Sequence, residues 1–206
     1  MPIIFILFLV FLGWFHFQKS KATRVQKESE AAFWETERNA NLTRKQDISN
    51  LTYVTIEPSL LPDITFADDL SKQYYQTLTS LNGKKILNLS HMTNTELKAN
   101  YGIVNFAFLQ ECENNFFSFV QTLNDWGAHL IELNNLSSAK QVLSIAVQVN
   151  SDIPQSYVSL AKIYLIHNED TNLESLLTTL RQRDDENAHR ILSLVEREKY
   201  SYYRNI

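Results

Sequence analysis

The chain has 206 residues and a formal net charge of −4, so it lacks the excess of basic residues typical of nucleic-acid-binding proteins. Its four glycines and four prolines are too few turn formers for a many-stranded sandwich or barrel, and this scarcity predicts an all-α fold. The single cysteine, Cys112, excludes an intramolecular disulfide and a cysteine-based zinc cluster. Because Cys112 lies in an apolar helical stretch, we expect a buried structural thiol.

An apolar segment occupies residues 3–17, with Gly13 and His16 as its interruptions. Such a run predicts insertion into a membrane, and we expect a transmembrane helix over residues 1–18. As a helix, the segment would be about 22 Å long, shorter than a hydrocarbon core of about 30 Å, but a short span is feasible because Lys19 can snorkel to the interface. A cleaved signal peptide is the alternative, but no basic leader precedes the apolar run.

Basic residues follow this segment, at Lys19, Lys21, Arg24 and Lys27. The positive-inside rule therefore predicts a single-pass protein of the cell membrane whose soluble part lies in the cytoplasm. Residues 19–65 are expected to form a charged helical stalk, which ends near residue 38, and then an extended linker containing Pro58 and Pro62. An interfacial helix that inserts Phe33 and Trp34 into the membrane is the alternative to the stalk.

Four Asn-x-Ser/Thr sequons occur, at Asn41, Asn50, Asn88 and Asn135. They would be glycosylation sites in a secreted eukaryotic protein, whereas a chain rich in asparagine also contains such triplets by chance. The absence of cysteine pairs favours a cytoplasmic soluble part and therefore the second interpretation.

Helical periodicity begins at Phe66, and the apolar stripe continues to Leu81, where Asn82-Gly83 predicts a helix stop. A capping box then predicts the start of a second helix, because the Thr93 hydroxyl and the Glu96 carboxylate can each satisfy the other's backbone N–H. The apolar stripe after it continues to Cys112, which predicts one helix of about 18 residues.

From residue 116 onward, the chain compares well with itself when it is shifted by about 34 positions. The apolar or small positions Leu123, Trp126, Gly127 and Leu130 align with Tyr157, Leu160, Ala161 and Tyr164. Each unit is predicted to be a pair of helices, and the expected ranges are 115–133, 137–149, 153–167 and 171–181. A period near 34 with this content is typical of tetratricopeptide repeats.

The pattern Leu123-x2-Trp126-Gly127-x2-Leu130, followed by Ala139-x3-Leu143-x2-Ala146, resembles a tetratricopeptide repeat, and residues 157–180 resemble a second one. The sequence departs from the family where Ser151 replaces the closing proline and where Leu173 occupies a usually small position. The resemblance implies an α–α superhelical domain over residues 66–206, with repeats at about 120–153 and 154–187 and an end helix at 186–204. The overall layout is similar to membrane-anchored tetratricopeptide-like proteins of Gram-positive bacteria.

No catalytic motif is evident in the sequence. The five histidines do not fall in a metal-ligand spacing with each other or with Cys112, and no phosphate-binding loop or nucleophile elbow occurs. The acidic run Asp184–Glu186 precedes a predicted helix, so a helix cap is expected there rather than a metal site. We therefore expect no enzyme activity, no metal, no cofactor, no nucleic acid and no small-molecule substrate.

In the tetratricopeptide family, the inner helices line a groove that binds a protein or peptide. The resemblance implies groove positions at Gln121, Asn124, Ala128, Ile131, Gln155, Val158, Lys162 and Leu165. This set is polar with an apolar strip, which suits an amphipathic helix or an extended peptide. The alternative is that these residues pack against the chain's own linker, residues 39–65.

The sequence leaves three classes of function open, and an enzyme is the third of them. The first is a membrane-tethered scaffold or adaptor that presents a small repeat surface to a protein partner. The second is a structural subunit of a membrane protein complex, which assembles through its anchor and stalk helix.

Overall fold

A computed structural model describes residues 2–65 and 67–204. Within this part of the chain, the structure contains eight α-helices, one short 3-10 helix and no β-strand, which confirms the all-α prediction. The 3-10 helix is Pro58–Leu60. The α-helices are α1 (Pro2–Asn41), α2 (Asp69–Ser80), α3 (Asn94–Tyr101), α4 (Ile103–Glu132), α5 (Leu136–Gln148), α6 (Pro154–Ile166), α7 (Asp170–Gln182) and α8 (Glu186–Arg204). Phe66, where the sequence predicts the start of the first helix of the domain, lies outside the described residues.

The chain divides into two compact units. Unit 1 comprises Met1–Ile48 and Thr93–Ala107, and therefore contains α1 and α3. Unit 2 comprises Ser49–Met92 and Phe108–Ile206, and it contains α2 and all helices from α5 onward.

Unit 1 is organised around α1, a single helix of 40 residues. Near the C-terminal end of α1, Glu37 accepts a 2.7 Å hydrogen bond from the Thr95 hydroxyl of α3 and forms an ion pair with Lys98. The hydrogen bonds from Lys98 and then Thr95 lower the pKa of Glu37. The predicted capping box at the start of α3 is confirmed, since Thr93 and Glu96 exchange both hydrogen bonds.

The helix predicted to follow the capping box is interrupted, which corrects the expectation of one continuous helix up to Cys112. Helix α3 ends at Tyr101, and Gly102 has a φ of 82° before α4 begins. A Cβ at position 102 would lie 2.5 Å from the Arg44 carbonyl oxygen, so the main chain of unit 1 passes too close for any side chain. The break therefore depends on glycine.

Two helices of unit 2, and the turns before them, are spaced by 34 positions. Helices α5 and α7 each have 13 residues, and both of their ends are separated by 34 positions. Asn134 and Asn168 have φ values of 57° and 55°, in the left-handed region that ends many helices. In both turns the next residue donates its N–H back to the helix, to the carbonyls of Leu130 and Tyr164, at 2.8 Å.

Two clusters of buried residues form the core of unit 2. The first lies between the 49–65 segment, α2, α4, α5 and part of α6, and the second lies between α6, α7 and α8. Helix α4 approaches α5 closely at Gly127, where a Cβ would lie 2.5 Å from Leu143 Cδ2. Glycine at this position therefore allows α4 and α5 to pack directly.

No helix in the described part of the chain is long and apolar enough to cross a membrane. The transmembrane helix expected over residues 1–18 is therefore not supported. Its apolar stretch is short relative to a hydrocarbon core of about 30 Å, and the same helix continues directly into charged residues from Lys19 onward.

Candidate functional site

The apolar segment at residues 3–17 lies in the first turns of α1, and its described side chains are exposed. Among its described large apolar residues, exposure ranges from 38% at Leu12 to 72% at Ile3. These residues surround the helix rather than forming one stripe, so they cannot all be covered by one neighbouring element. Exposed apolar surfaces of this size are typical of proteins that interact with a membrane or with another protein.

Two more exposed aromatic residues follow on the same helix. Phe33 and Trp34 are 54% and 61% exposed, and their rings meet edge to face with centroids 5.4 Å apart. Unit 1 also exposes the apolar side chains of Val25, Leu42 and Val104. Exposed apolar surface in unit 1 is thus not confined to the segment at residues 3–17.

The groove candidates on α4 differ in their environments. Gln121 is half-buried, and its amide donates to Asp125 at 2.9 Å. Asn124 is also half-buried and accepts a 3.1 Å hydrogen bond from the Ser156 hydroxyl, which connects α4 to α6. Ala128 is exposed, whereas Ile131 is half-buried against the first core cluster.

On α6, the exposed candidates are Gln155, whose amide donates to the Ser159 hydroxyl at 3.0 Å, and Lys162. The Lys162 ammonium lies 3.6 Å from the Glu198 carboxylate of α8. Val158 packs against the second core cluster, and Leu165 is buried within it at 2% exposure. The apolar strip expected from the sequence is therefore largely part of the core, and the accessible positions are polar or small.

Residues 49–65, the part of the linker that belongs to unit 2, pack along its core. Ile56 and Leu61 are buried in the first cluster, and the Val54 N–H donates to the Ile86 carbonyl at 2.9 Å. The Gln141 amide of α5 donates to the Leu60 carbonyl at 2.8 Å. This segment leaves Ala128, Gln155 and Lys162 exposed.

The structure contains a concave surface that was not predicted from the sequence. It is a cleft of about 1260 Å³ in unit 2, formed by residues 88–91, 150–152 and 183–190, and is called the polar cleft below. These three segments are far apart from one another in the chain, so no local motif could indicate the cleft. The single sequence signal is the acidic run Asp184–Glu186, and Asp185 does cap α8 by accepting the Ala188 N–H at 2.7 Å.

Within the described residues, no group of three or more His, Cys, Asp or Glu side chains is arranged to hold a metal ion. Cys112 is buried, and burial raises the pKa of its thiol.

Comparison of the chain with protein-family models, with curated proteins and with solved structures gives no match in any of the three. The resemblance to tetratricopeptide repeats therefore stays a prediction, and the function has to be argued from the geometry of the two units.

Proposed function

We propose that this protein is a membrane-attached scaffold that binds a protein partner. The observation that carries the proposal is the exposed apolar surface at residues 3–17, which includes Ile3, Phe5 and Phe17 at more than 60% exposure. Leaving this surface in water would cost about 25 cal/mol for each Å² of apolar area, so it needs an apolar environment. We propose that this segment attaches the protein to the membrane, and the proposal does not require a transmembrane helix.

The cytoplasmic face of the cell membrane is the proposed location. Four basic residues follow the apolar segment within α1, at Lys19, Lys21, Arg24 and Lys27. Basic residues beside an inserted segment are attracted to anionic lipids of the cytoplasmic leaflet, by about 1 kcal/mol for each charge close to the surface. Phe33 and Trp34 supply a further apolar contact if α1 lies along the membrane.

Partner binding is assigned to unit 2, which we propose to be tetratricopeptide-like. The support is the 34-residue spacing of α5 and α7 and of the left-handed asparagines, Asn134 and Asn168, in the turn inside each helix pair. Paired helices that stack in this way offer extended surfaces on which protein segments bind. We propose no enzymatic role, cofactor or nucleic-acid ligand.

A structural subunit is the second candidate, because α1 itself offers a surface for assembly. Gln18, Ala22, Val25 and Ser29 follow one another at spacings of four, three and four residues and are all exposed. This uncharged stripe could pack against a helix of another membrane protein.

Cell fractionation of the full-length protein tests the attachment. We expect the protein to pellet with membranes and to resist alkaline extraction, and replacement of Leu7, Leu9 and Phe11 by Asn should release it. Replacement of Phe33 and Trp34 by Ser is the control for a general loss of apolar surface and should weaken attachment less. A soluble form that begins near Thr23 would overturn the proposal, since it would indicate a cleaved signal peptide.

Site-specific photo-crosslinking separates the scaffold from the structural subunit. A photoreactive residue at Ala128 or Lys162 of unit 2 should capture the partner if the protein is a scaffold. Capture from Val25 of α1, with none from unit 2, would favour the structural subunit.

A further inference from the structure

The α5–α6 turn forms one wall of the polar cleft, where Asn150 and Asp152 line the cleft and Ser151 is buried between them. The carbonyls of residues 150–152 accept, in chain order, hydrogen bonds from Asn88 Nδ2 at 2.9 Å, Tyr157 Oη at 2.9 Å and Asn187 Nδ2 at 3.1 Å. Each donor comes from a different part of unit 2, so three carbonyls in a row are held from three directions. A wall fixed in this way does not need to be ordered when a ligand binds.

Arg183 and Asp185, which both line the cleft, form an ion pair with each other. The Arg183 guanidinium donates to the Asp185 carboxylate at 2.9 Å and to the Tyr157 hydroxyl at 3.2 Å. Partial burial raises the pKa of Asp185, but the hydrogen bond from the Ala188 N–H and the contact with Arg183 outweigh this and hold the pKa below its usual range. Arg183 and Asp185 therefore both have partners within unit 2.

The other charges that line the cleft are predominantly negative. They comprise three carboxylates and one guanidinium, those of Asp152, Asp184, Glu186 and Arg190. His91 and His189 also line the cleft and add positive charge only when they are protonated. With neutral histidines, these groups leave an excess of negative charge.

The Glu113 carboxyl lies outside the lining, and the charge of Asp152 acts on it. Burial, and then the charge of Asp152, raises the pKa of the Glu113 carboxyl above its usual range. Because the carboxylates of Glu113 and Asp152 repel each other, a cation that binds near either of them is favoured.

The carboxylates of the cleft are too dispersed to converge on one metal ion, since no metal-binding group occurs among the described residues. The cleft is also larger than the sites of about 300–1000 Å³ that hold most small molecules. Spaced carboxylates in a wide, preformed cleft match a chain that carries several spaced cations. We propose that the polar cleft binds a Lys- or Arg-rich segment of the protein partner, an inference that rests on the proposed scaffold function.

The test uses the full-length protein in mild detergent and a fluorescent octalysine peptide, with binding followed by anisotropy. The cleft variant combines Asp152→Asn, Asp184→Asn and Glu186→Gln, and the matched control combines Asp69→Asn, Glu111→Gln and Glu132→Gln at exposed positions elsewhere in unit 2. Each triple variant changes the formal net charge from −4 to −1. We expect the cleft variant to bind octalysine about tenfold more weakly and the control to change much less.

A variant that is expected to bind octalysine more tightly provides a test that misfolding cannot imitate. Arg190→Gln removes the cation that faces the cleft, so it should strengthen octalysine binding severalfold. In the unaltered protein, octalysine should also lower the pKa of Glu113, measured from its carboxyl carbon resonance. Equal weakening in both triple variants, or tighter binding of octaglutamate than of octalysine, would overturn the proposal.

Membrane attachment is measured separately by flotation of the same preparations with vesicles. If octalysine fails to bind while the protein still floats and captures a partner, only the cleft assignment falls. If flotation and partner capture fail, the proposed scaffold function falls, whatever octalysine does.

Discussion

The Asp68 carboxylate and the His129 ring connect the start of α2 to α4, with Oδ1 of Asp68 2.9 Å from Nε2 of His129. The same oxygen accepts the N–H groups of Leu70 and Ser71, so Asp68 is also the N-cap of α2. The Ser71 hydroxyl bonds the second oxygen at 2.7 Å. This hydrogen bond is the main reason that the pKa of Asp68 lies well below its usual range, despite some desolvation, and His129 adds to the effect.

Replacing Asp68 should lower the free energy of unfolding through loss of the cap. Asp68→Ala removes every acceptor, and we expect a loss of about 1–2 kcal/mol, whereas Asp68→Asn retains a cap oxygen and should lose less. The measurement is urea denaturation of the full-length protein at pH 7. If Asp68→Ala unfolds at the same urea concentration as the parent, the connection between α2 and α4 contributes nothing.

The same contact predicts a pH dependence with a definite sign. Because the pKa of Asp68 is lower in the folded state, its contribution is complete above the unfolded value of about 3.9 and is lost as the pH falls towards the folded value. The stability difference between the parent and Asp68→Asn, measured by urea denaturation, should therefore shrink as the pH falls from about 5 to about 2. A difference that stays constant over this range would contradict the assignment.

A double-mutant cycle tests the packing of Gly127 against Leu143. Gly127→Ala should destabilise by about 1 kcal/mol, because overpacking of about 1–3 kcal/mol exceeds the gain of about 1 kcal/mol in helix propensity. Leu143→Ala should cost about 2–5 kcal/mol by leaving a cavity, and Gly127→Ala should become stabilising in that background. Ala128→Gly, on the exposed face of α4, measures the difference in helix propensity between Ala and Gly without a packing contribution. A Gly127→Ala effect of the same sign in both backgrounds would argue against a direct contact.

The left-handed asparagines should respond alike at both positions of the 34-residue period. At Asn134 and at Asn168, substitution by Ala should destabilise by about 1 kcal/mol, and substitution by Gly should be neutral or stabilising. Asn114, in the interior of α4, is the control and should show the reverse order, with Ala better than Gly. Thermal unfolding of the six variants gives the comparison, and opposite orders at Asn134 and Asn168 would break the equivalence of the two turns.

Chemical labelling tests the proposed side of the membrane. Ser175 is exposed on α7, so a cysteine introduced there should react readily with a maleimide, whereas the native Cys112 is buried. In intact cells, a membrane-impermeant maleimide should leave Ser175→Cys unlabelled, and permeabilisation should allow labelling. Labelling without permeabilisation would place unit 2 outside the cytoplasm.

Much of the helical architecture follows from local sequence patterns. The helices predicted at 137–149 and 153–167 lie at Leu136–Gln148 and Pro154–Ile166, because apolar spacing and turn residues act within one helix length. The break at Gly102 could not be predicted in this way. It depends on the close approach of the Arg44 main chain, which is distant from Gly102 in the sequence.

The candidate sites show the same limit. The sequence identified the apolar segment at residues 3–17 because all of its evidence is contiguous. It assigned Leu165 to a groove because the resemblance to tetratricopeptide repeats implies one on that helix, whereas its burial depends on apolar residues of α7 and α8 that form a cluster with it. The polar cleft needs three distant segments at once, and hydrogen bonds such as Asn88 to Asn150 have no counterpart in a linear pattern.

Because α1 is continuous, the apolar segment and Glu37 keep a fixed angle to each other about the helix axis. Each residue of an α-helix turns the chain by about 100° and advances it by about 1.5 Å, so Glu37 lies about 30 Å beyond Phe17 and at a set angle to it. Any rotation of the apolar segment about the helix axis is therefore transmitted to the face that holds Thr95 and Lys98. Inserting one residue between Gln18 and Arg24 would turn α3 by about a quarter of a revolution around the apolar segment, whereas inserting seven would nearly restore its direction and lengthen the helix by about 10 Å.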